Sequence, residues 1–336
     1  KSFANGRFEV DERLGAGCFS VVYRGREVPT GNAVAVKFEK RWTAVPQLQH
    51  EAEVLQSLAP HRQLPQGFSK LFYSGVADGQ YLAMVLNVLG ASLEAQVQSC
   101  GGNLEVPTTI LVAEQAIRRI EYVHSRGILH RDIKPENFLL GLGNRAHHVH
   151  LIDFGLSKRY WVNGSHIGGS GNYSLTGTAR YASINALKGY QQSRRDDLEA
   201  IGHMLLYFLR GTLPWSGLAA NSQKEKYARI CEKKERTPLK TLCDGFPSCF
   251  ETYLTYCRGL AFTQRPDYDM LFNLFRDTRE EMGPLKDYDL QWMKGSSRPE
   301  DLEVLDLSGG TRQPDDGLSL GSHVAQVAFS CCAWCR

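Results

Sequence analysis

Short apolar runs with hydrophobic residues at alternate positions, separated by glycine-bearing turns, fill most of the first ninety residues. Phe8–Gly15, Val21–Gly25 and Ala33–Glu39 follow this period of two, which predicts strands. One stretch departs from it. Leu48, Ala52, Leu55 and Leu58 recur three or four residues apart, the spacing of one face of a helix. Strand character returns at Lys70–Ser74 and Gln80–Asn87. From Ser92 onward the helical period dominates, as in Thr109–Arg126, Leu198–Arg210 and Phe250–Leu260. The second of these meets Gly211, with Pro214 shortly beyond, which is how helices prefer to end. The pattern predicts an α+β arrangement. A small β-rich lobe with one helix covers 1–87, a larger α-rich lobe covers 88–292, and Asn87–Gly90 connects them. Between Ser296 and Ser322 the chain turns to Gly, Ser, Asp and Pro, so 293–336 is expected to be a flexible tail.

Composition narrows the function classes without changing this picture. The 336 residues, 42% of them hydrophobic and 22% charged, suit a soluble globular monomer. A formal net charge of +3 is too small to argue for nucleic acid or a membrane surface, so no nucleic-acid partner is expected. No apolar run approaches the roughly 18 residues of a membrane span, and the start, at Lys1, does not resemble a signal peptide. Cys18, Cys100, Cys231, Cys243, Cys249 and Cys257 are scattered without a framework, which suits a reduced compartment. The expected location is the cytoplasm, with the nucleus or a tethered membrane position as extensions.

Five motifs carry chemistry. Gly15-Ala16-Gly17 opens a glycine-rich turn between two predicted strands, where backbone N–H groups can approach phosphates; a plain glycine hairpin is the competing reading. Val34-Ala35-Val36-Lys37 puts a lysine on an apolar strand, where it would hold the α- and β-phosphates of ATP. Two glutamates compete to pair with it. Glu51 falls inside the stripe of Leu48, Ala52 and Leu55, while Glu53 projects off it, so Glu51 is the expected partner. Val22 and Ala35 join Gly15, Ala16, Gly17, Lys37 and Glu51 in the expected ATP-binding set.

His130-Arg131-Asp132-Ile133-Lys134-Pro135-Glu136-Asn137 is the strongest signal. Asp132 would orient the acceptor hydroxyl or accept its proton, Lys134 would neutralise charge on the transferred phosphoryl group, and Asn137 would bind a metal ion. Lysine two residues after the aspartate is the serine/threonine-kinase pattern. Asp153-Phe154-Gly155 follows the apolar strand Val149–Ile152, and Asp153 would hold Mg2+. All five motifs in this order point to ATP-dependent phosphoryl transfer. A kinase-like scaffold that binds partners without chemistry is the alternative.

Further strings resemble the casein kinase 1 family of serine/threonine kinases. They are Phe138–Gly143, Asp153–Lys158, Leu175–Asn185 in place of Ala-Pro-Glu, Ser193–Glu199, Leu213-Pro214-Trp215 and Pro266-Asp267-Tyr268, within a resemblance running from about Phe8 to Trp292. It implies a bilobal protein-kinase fold, adenine bonded to backbone near Leu89, and Asp197 anchoring the catalytic loop. It also implies no need for activating phosphorylation, and an anion site of Arg180, the Gly217 backbone and Lys226 for acidic or phosphorylated protein substrates. A structural ion-pair role for Arg180 stays open. Three departures stand out: Ser20 replaces a glycine, Asn87 an acidic residue, and Gly168–Tyr173 a more basic loop.

Three remaining features are weaker. His147-His148-Val149-His150 reads as a surface hairpin rather than a metal site. The mixed charges of Lys224–Arg236 read as a solvated helix face. Cys331, Cys332 and Cys335, beside Phe329 and Trp334, suit S-palmitoylation and a membrane tether, with an unmodified tail as the alternative.

Overall fold

The computed structural model describes residues 2–17, 20–59 and 64–294; the cysteine-rich end and most of the expected tail lie outside the described residues. A six-stranded sheet takes up the first part, in the order β1-β2-β3-β4-β6-β5. Its strands are β1 (Ser2–Phe3), β2 (Phe8–Ala16), β3 (Ser20–Glu27), β4 (Ala33–Lys40), β5 (Leu71–Val76) and β6 (Tyr81–Asn87), with helix α1 (Leu48–Leu58) between β4 and β5. All neighbouring strands are antiparallel. At Gly25 the backbone of β2 comes so close that a Cβ would sit 2.1 Å from the Glu9 carbonyl oxygen, so only glycine fits.

Alternation along β4 sorts its side chains. Val34 and Val36 are buried in a small core with Phe3, Phe8, Ala83 and Val85. Ala35, Lys37 and Glu39 share the opposite face. The apolar stripe of α1 (Leu48, Ala52, Leu55 and Leu58) belongs to the main core, which continues into the helical part.

That part contains α2 (Leu93–Ser99), α3 (Val106–Ser125), α4 (Ile184–Leu187), α5 (Arg194–Arg210), α6 (Gln223–Arg236), α7 (Leu239–Leu242), α8 (Ser248–Gly259) and α9 (Tyr268–Glu281). Short strand pairs join β7 (Ile128–Leu129) to β10 (Lys158–Arg159), β8 (Phe138–Leu140) to β9 (Val149–Leu151), and β11 (Trp161–Val162) to β12 (Ser165–His166). Helix α5 is buried on nearly every side, which makes it the axis of the larger lobe. It ends at Gly211 in the left-handed conformation, φ 70°, as its sequence predicts. Curled sheet and helical bundle together make a bilobal α+β fold.

Two expectations need correction. Helix α6 is not wholly a solvated face, because Lys234 is fully buried beneath Trp215. The histidine run is not all surface either: β9 pairs with β8 and carries His150 inward to 8% exposure, while Gln115 of α3 bonds the Val149 N–H and the His147 carbonyl.

Candidate active site

Because β4 turns Lys37 inward and the stripe of α1 turns Glu51 inward, the two side chains meet. Lys37 Nζ lies 2.6 Å from Glu51 Oε2 and 3.1 Å from Asp153 Oδ1. Glu53 is exposed and, among the described residues, takes a hydrogen bond only from Gln49, one turn away. Burial alone would drive the Lys37 ammonium to lose its proton, but Asp153 and Glu51 outweigh it and hold the proton more tightly than in water. Burial would likewise raise the Asp153 carboxyl, and the charges of Lys37 and Lys134 outweigh that and hold it down to about 2. The group at Asp153 is a carboxylate at any physiological pH.

The strand supplying Lys37 also fixes α1. Glu39 Oε2 accepts the N–H groups of Gln47 and Leu48, both at 2.9 Å. It thereby caps a helix whose own N-cap residue, Gln47, offers no side-chain cap. His50 reaches Ser157 from the same helix, its Nε2 3.0 Å from the Ser157 carbonyl oxygen. Neither Glu39 nor His50 stands out in the sequence; a lone acidic residue at a strand end carries no spacing signal.

Between β7 and β8 the chain forms a tight loop around Asp132. Asp132 Oδ2 is 2.7 Å from Lys134 Nζ, and its Oδ1 accepts the Thr178 hydroxyl at 2.8 Å. Asn137 Nδ2 donates to the Asp132 carbonyl oxygen at 2.8 Å, which leaves the amide oxygen out of that bond as the atom it could offer a metal ion. Asp197, near the start of α5, accepts the N–H groups of His130 and Arg131, each at 2.8 Å, and His124 Nε2 at 2.9 Å. Burial would raise the Asp197 carboxyl, but the bonds it accepts from His124 and from the Arg131 N–H leave it lowered.

Arg131 and Asp153 both hold positive φ, 68° and 65°, a region that costs a side-chain-bearing residue of order 1 kcal/mol or more. Each sits beside a residue of the site or within it, and Asp197 bonds the backbone that holds Arg131 in place. The Arg131 guanidinium donates to the carbonyl oxygens of Leu156 at 2.8 Å and Ser157 at 3.4 Å. Phe154 is fully buried, its ring edge-on to His130 at 5.1 Å.

A cleft lies between the lobes, walled by Leu14, Val22 and Ala35 from the sheet and by Leu139 and Ile152 from below. Lys37, Glu51 and Asp153 close its inner end, and Val88 and Leu89 line it as well. Flat apolar walls with a charged inner end suit a planar ring carrying an anionic chain. The model of the protein kinase domain family matches residues 8–268, which contain all of these groups. The chain belongs to the protein kinase family. Protein kinases as a class are phosphotransferases that use ATP and Mg2+, and the oxygen donors Asn137 and Asp153 are of the type Mg2+ takes.

Of the sequence-predicted residues, the structure brings Val22, Ala35, Lys37, Glu51 and Leu89 to the kinase's cleft, and Asp132, Lys134 and Asn137 to one loop. Gly15, Ala16 and Gly17 are not among the lining residues. Strand β2 runs on through Ala16, paired with Val21, and the Gly17 N–H is bonded to the Ser20 carbonyl oxygen at 2.8 Å. Leu14, Leu139 and Ile152 were not singled out in the sequence, although Ile152 directly precedes Asp153 and Leu139 follows Asn137 by two. Arg180, Gly217 and Lys226 are all exposed, and no hydrogen bond joins them among the described residues. The Arg180 guanidinium lies 5.9 Å from the Tyr181 ring and 5.7 Å from that of Tyr207.

Proposed function

We propose that this chain is a serine/threonine protein kinase of the casein kinase 1 type, moving the γ-phosphoryl group of ATP to protein hydroxyls. The observation that carries the reading is the pairing at Asp132, with Lys134 at 2.7 Å on one carboxylate oxygen and the Thr178 hydroxyl at 2.8 Å on the other. An aliphatic acceptor hydroxyl in the place of the Thr178 hydroxyl would find the same carboxylate as hydrogen-bond acceptor. Its proton would pass to Asp132 or be held there as the oxygen attacks, and Lys134 stands beside it to stabilise charge on the phosphoryl oxygens.

Lys37, kept charged by Glu51 and Asp153, would bind the α- and β-phosphates, and the apolar slot with the Leu89 backbone would take adenine. Asn137 and Asp153 would hold Mg2+, whose charge screens the phosphates. The resemblance of Leu175–Asn185 and Ser193–Glu199 to casein kinase 1 supports the narrower family. Arg180 and Lys226, both exposed, suit acceptors that carry acidic or phosphorylated residues. The Arg131 guanidinium, occupied by two backbone carbonyls, supports activity without loop phosphorylation. Palmitoylation of Cys331, Cys332 and Cys335, and with it a membrane position, belongs to the same proposal.

The test uses the full chain made in bacteria, phosphatase-treated, with γ-labelled ATP, Mg2+ and casein. Label should appear on phosphoserine or phosphothreonine, and an acidic or primed peptide should outcompete a neutral one. No incorporation, with nucleotide binding retained, would favour the scaffold reading. Label on tyrosine alone would refute the serine/threonine assignment.

A further inference from the structure

Four consecutive backbone carbonyls downstream of Thr178 each accept a hydrogen bond from a buried side chain. Lys234 Nζ donates to the Ala179 oxygen at 3.1 Å and the Ala182 oxygen at 2.5 Å. Trp215 Nε1 donates to the Arg180 oxygen at 2.7 Å, and His203 Nδ1 lies 2.8 Å from the Tyr181 oxygen. The three donors come from α6, from the loop before it and from α5. They also pack on one another: Lys234 Nζ lies 4.9 Å from the centre of the Trp215 ring, which meets His203 edge-on at 5.1 Å. Lys234 and His203 are fully buried and Trp215 is 1% exposed.

A lysine is almost never buried this deeply unless a specific contact requires it. Among the described residues no carboxylate lies within ion-pair distance of Lys234, and Glu199 is paired instead with Arg258 at 3.0 Å. The ammonium is thus spent on backbone carbonyls. Burial pushes it down to about 7, and the neutral amine still has two N–H groups for two acceptors.

The backbone held in this way is tied at both ends. Upstream, Thr178 bonds Asp132, and Gly177 lies so close to the catalytic loop that a Cβ would be 2.2 Å from the Arg131 carbonyl oxygen. Downstream, Ser183 donates to Asp196 at 2.6 Å and caps α4 through the Ala186 N–H. We infer that Lys234, with Trp215 and His203, is a positioning clamp that holds residues 179–182 in the form that receives the acceptor peptide. Lys234 governs the clamp because it alone takes two carbonyls and alone brings in α6. The inference rests on the phosphotransfer reading, to which it adds the source of the segment's shape.

The test compares Lys234→Met, which keeps length and loses both donors, with Lys234→Gln, which keeps a neutral donor group. KM for an acidic peptide, KM for ATP, kcat and amide exchange over 179–188 are measured below each variant's melting temperature. Lys234→Met should raise the peptide KM roughly tenfold, the scale of leaving buried carbonyls unpaired. It should leave the ATP KM within about twofold and speed exchange within 179–188 only, and Lys234→Gln should recover part of the loss. An unchanged peptide KM, both KM values rising together, or faster exchange across the whole larger lobe would overturn the clamp. If Lys234→Met does not fold, Trp215→Phe decides, since it removes the bond to the Arg180 carbonyl while keeping an aromatic ring beside Lys234 and His203. A raised peptide KM with ATP KM unchanged supports the clamp, and an unchanged one refutes it. A wild-type chain that transfers no phosphate would sink the functional reading instead. Peptide affinity, read by fluorescence anisotropy, and the exchange pattern would still judge the clamp: the same selective losses support it, and their absence overturns it.

Discussion

Lys37 is held by two carboxylates with different tasks. Glu51, buried and 2.6 Å away, orients it, while Asp153, 3.1 Å away, faces the cleft, where the proposed reading gives it Mg2+. Glu51→Gln should therefore lower kcat/KM about 100-fold, the scale of misplacing a positioned charge. Glu53→Gln, on the exposed face of the same helix, should stay within about twofold of wild type. A steady-state comparison of the two variants checks both. This choice was legible in the sequence because a helix with one apolar stripe has only one inward carboxylate. Lys234 was not legible. It sits among Lys233, Glu235 and Arg236, and only the tertiary approach of Ala179, Ala182 and Trp215 turns it from a solvated charge into a buried donor. Pattern along one element says which face is apolar. It does not say which backbone carbonyls another part of the chain will bring there.

At the scale of elements, strand β4 does two things at once. Its inward face presents Lys37 to α1, and Glu39 on the same face caps that helix. The negative charge at the N-terminus also suits the helix dipole. Glu39→Ala should cost about 1–2 kcal/mol, as loss of a cap does. It should also raise the ATP KM, because α1 then holds Glu51 less firmly against Lys37. Denaturant unfolding and ATP kinetics measure the two effects, and loss of stability with no change in ATP KM would separate the cap from the site. The strands and long helices were readable from their periods to within a few residues: Thr109–Arg126 is Val106–Ser125, and Phe250–Leu260 is Ser248–Gly259. The start of α5 was less so. Arg194–Asp197 is polar, and its burial comes from Ser183, Tyr160 and the catalytic loop packing on it. The glycine-rich turn falls between β2 and β3 as expected, with β2 running one residue further, through Ala16.

For the whole molecule, stability depends on keeping several imidazoles neutral. Burial pushes His148 down to about 4, with the neighbouring His147 adding to it, and burial also lowers His124, His147, His150 and His203. The unfolded chain takes up protons near pH 6.5 while the folded chain resists them. The stability these groups allow is therefore full above about pH 6.5 and falls as pH drops toward 4. Asp196, pushed up to about 6 by burial, works in the opposite sense between about pH 4 and 6. The comparison of variants therefore carries the test. Denaturation midpoints at pH 7.5 and 5.5 should differ less for His148→Gln than for wild type, and equal differences would remove His148 from the account.

The central claim is that Asp132 acts on the acceptor while Lys37 and Asp153 act on the nucleotide. Single-turnover phosphoryl transfer by Asp132→Asn, measured at saturating Mg2+ and ATP together with nucleotide affinity, addresses it most directly. The predicted result is transfer slowed by about 100-fold or more, the scale of losing a positioned general base, with nucleotide affinity within about threefold of wild type. Near-normal transfer, or loss of nucleotide binding in step with transfer, would contradict the assignment.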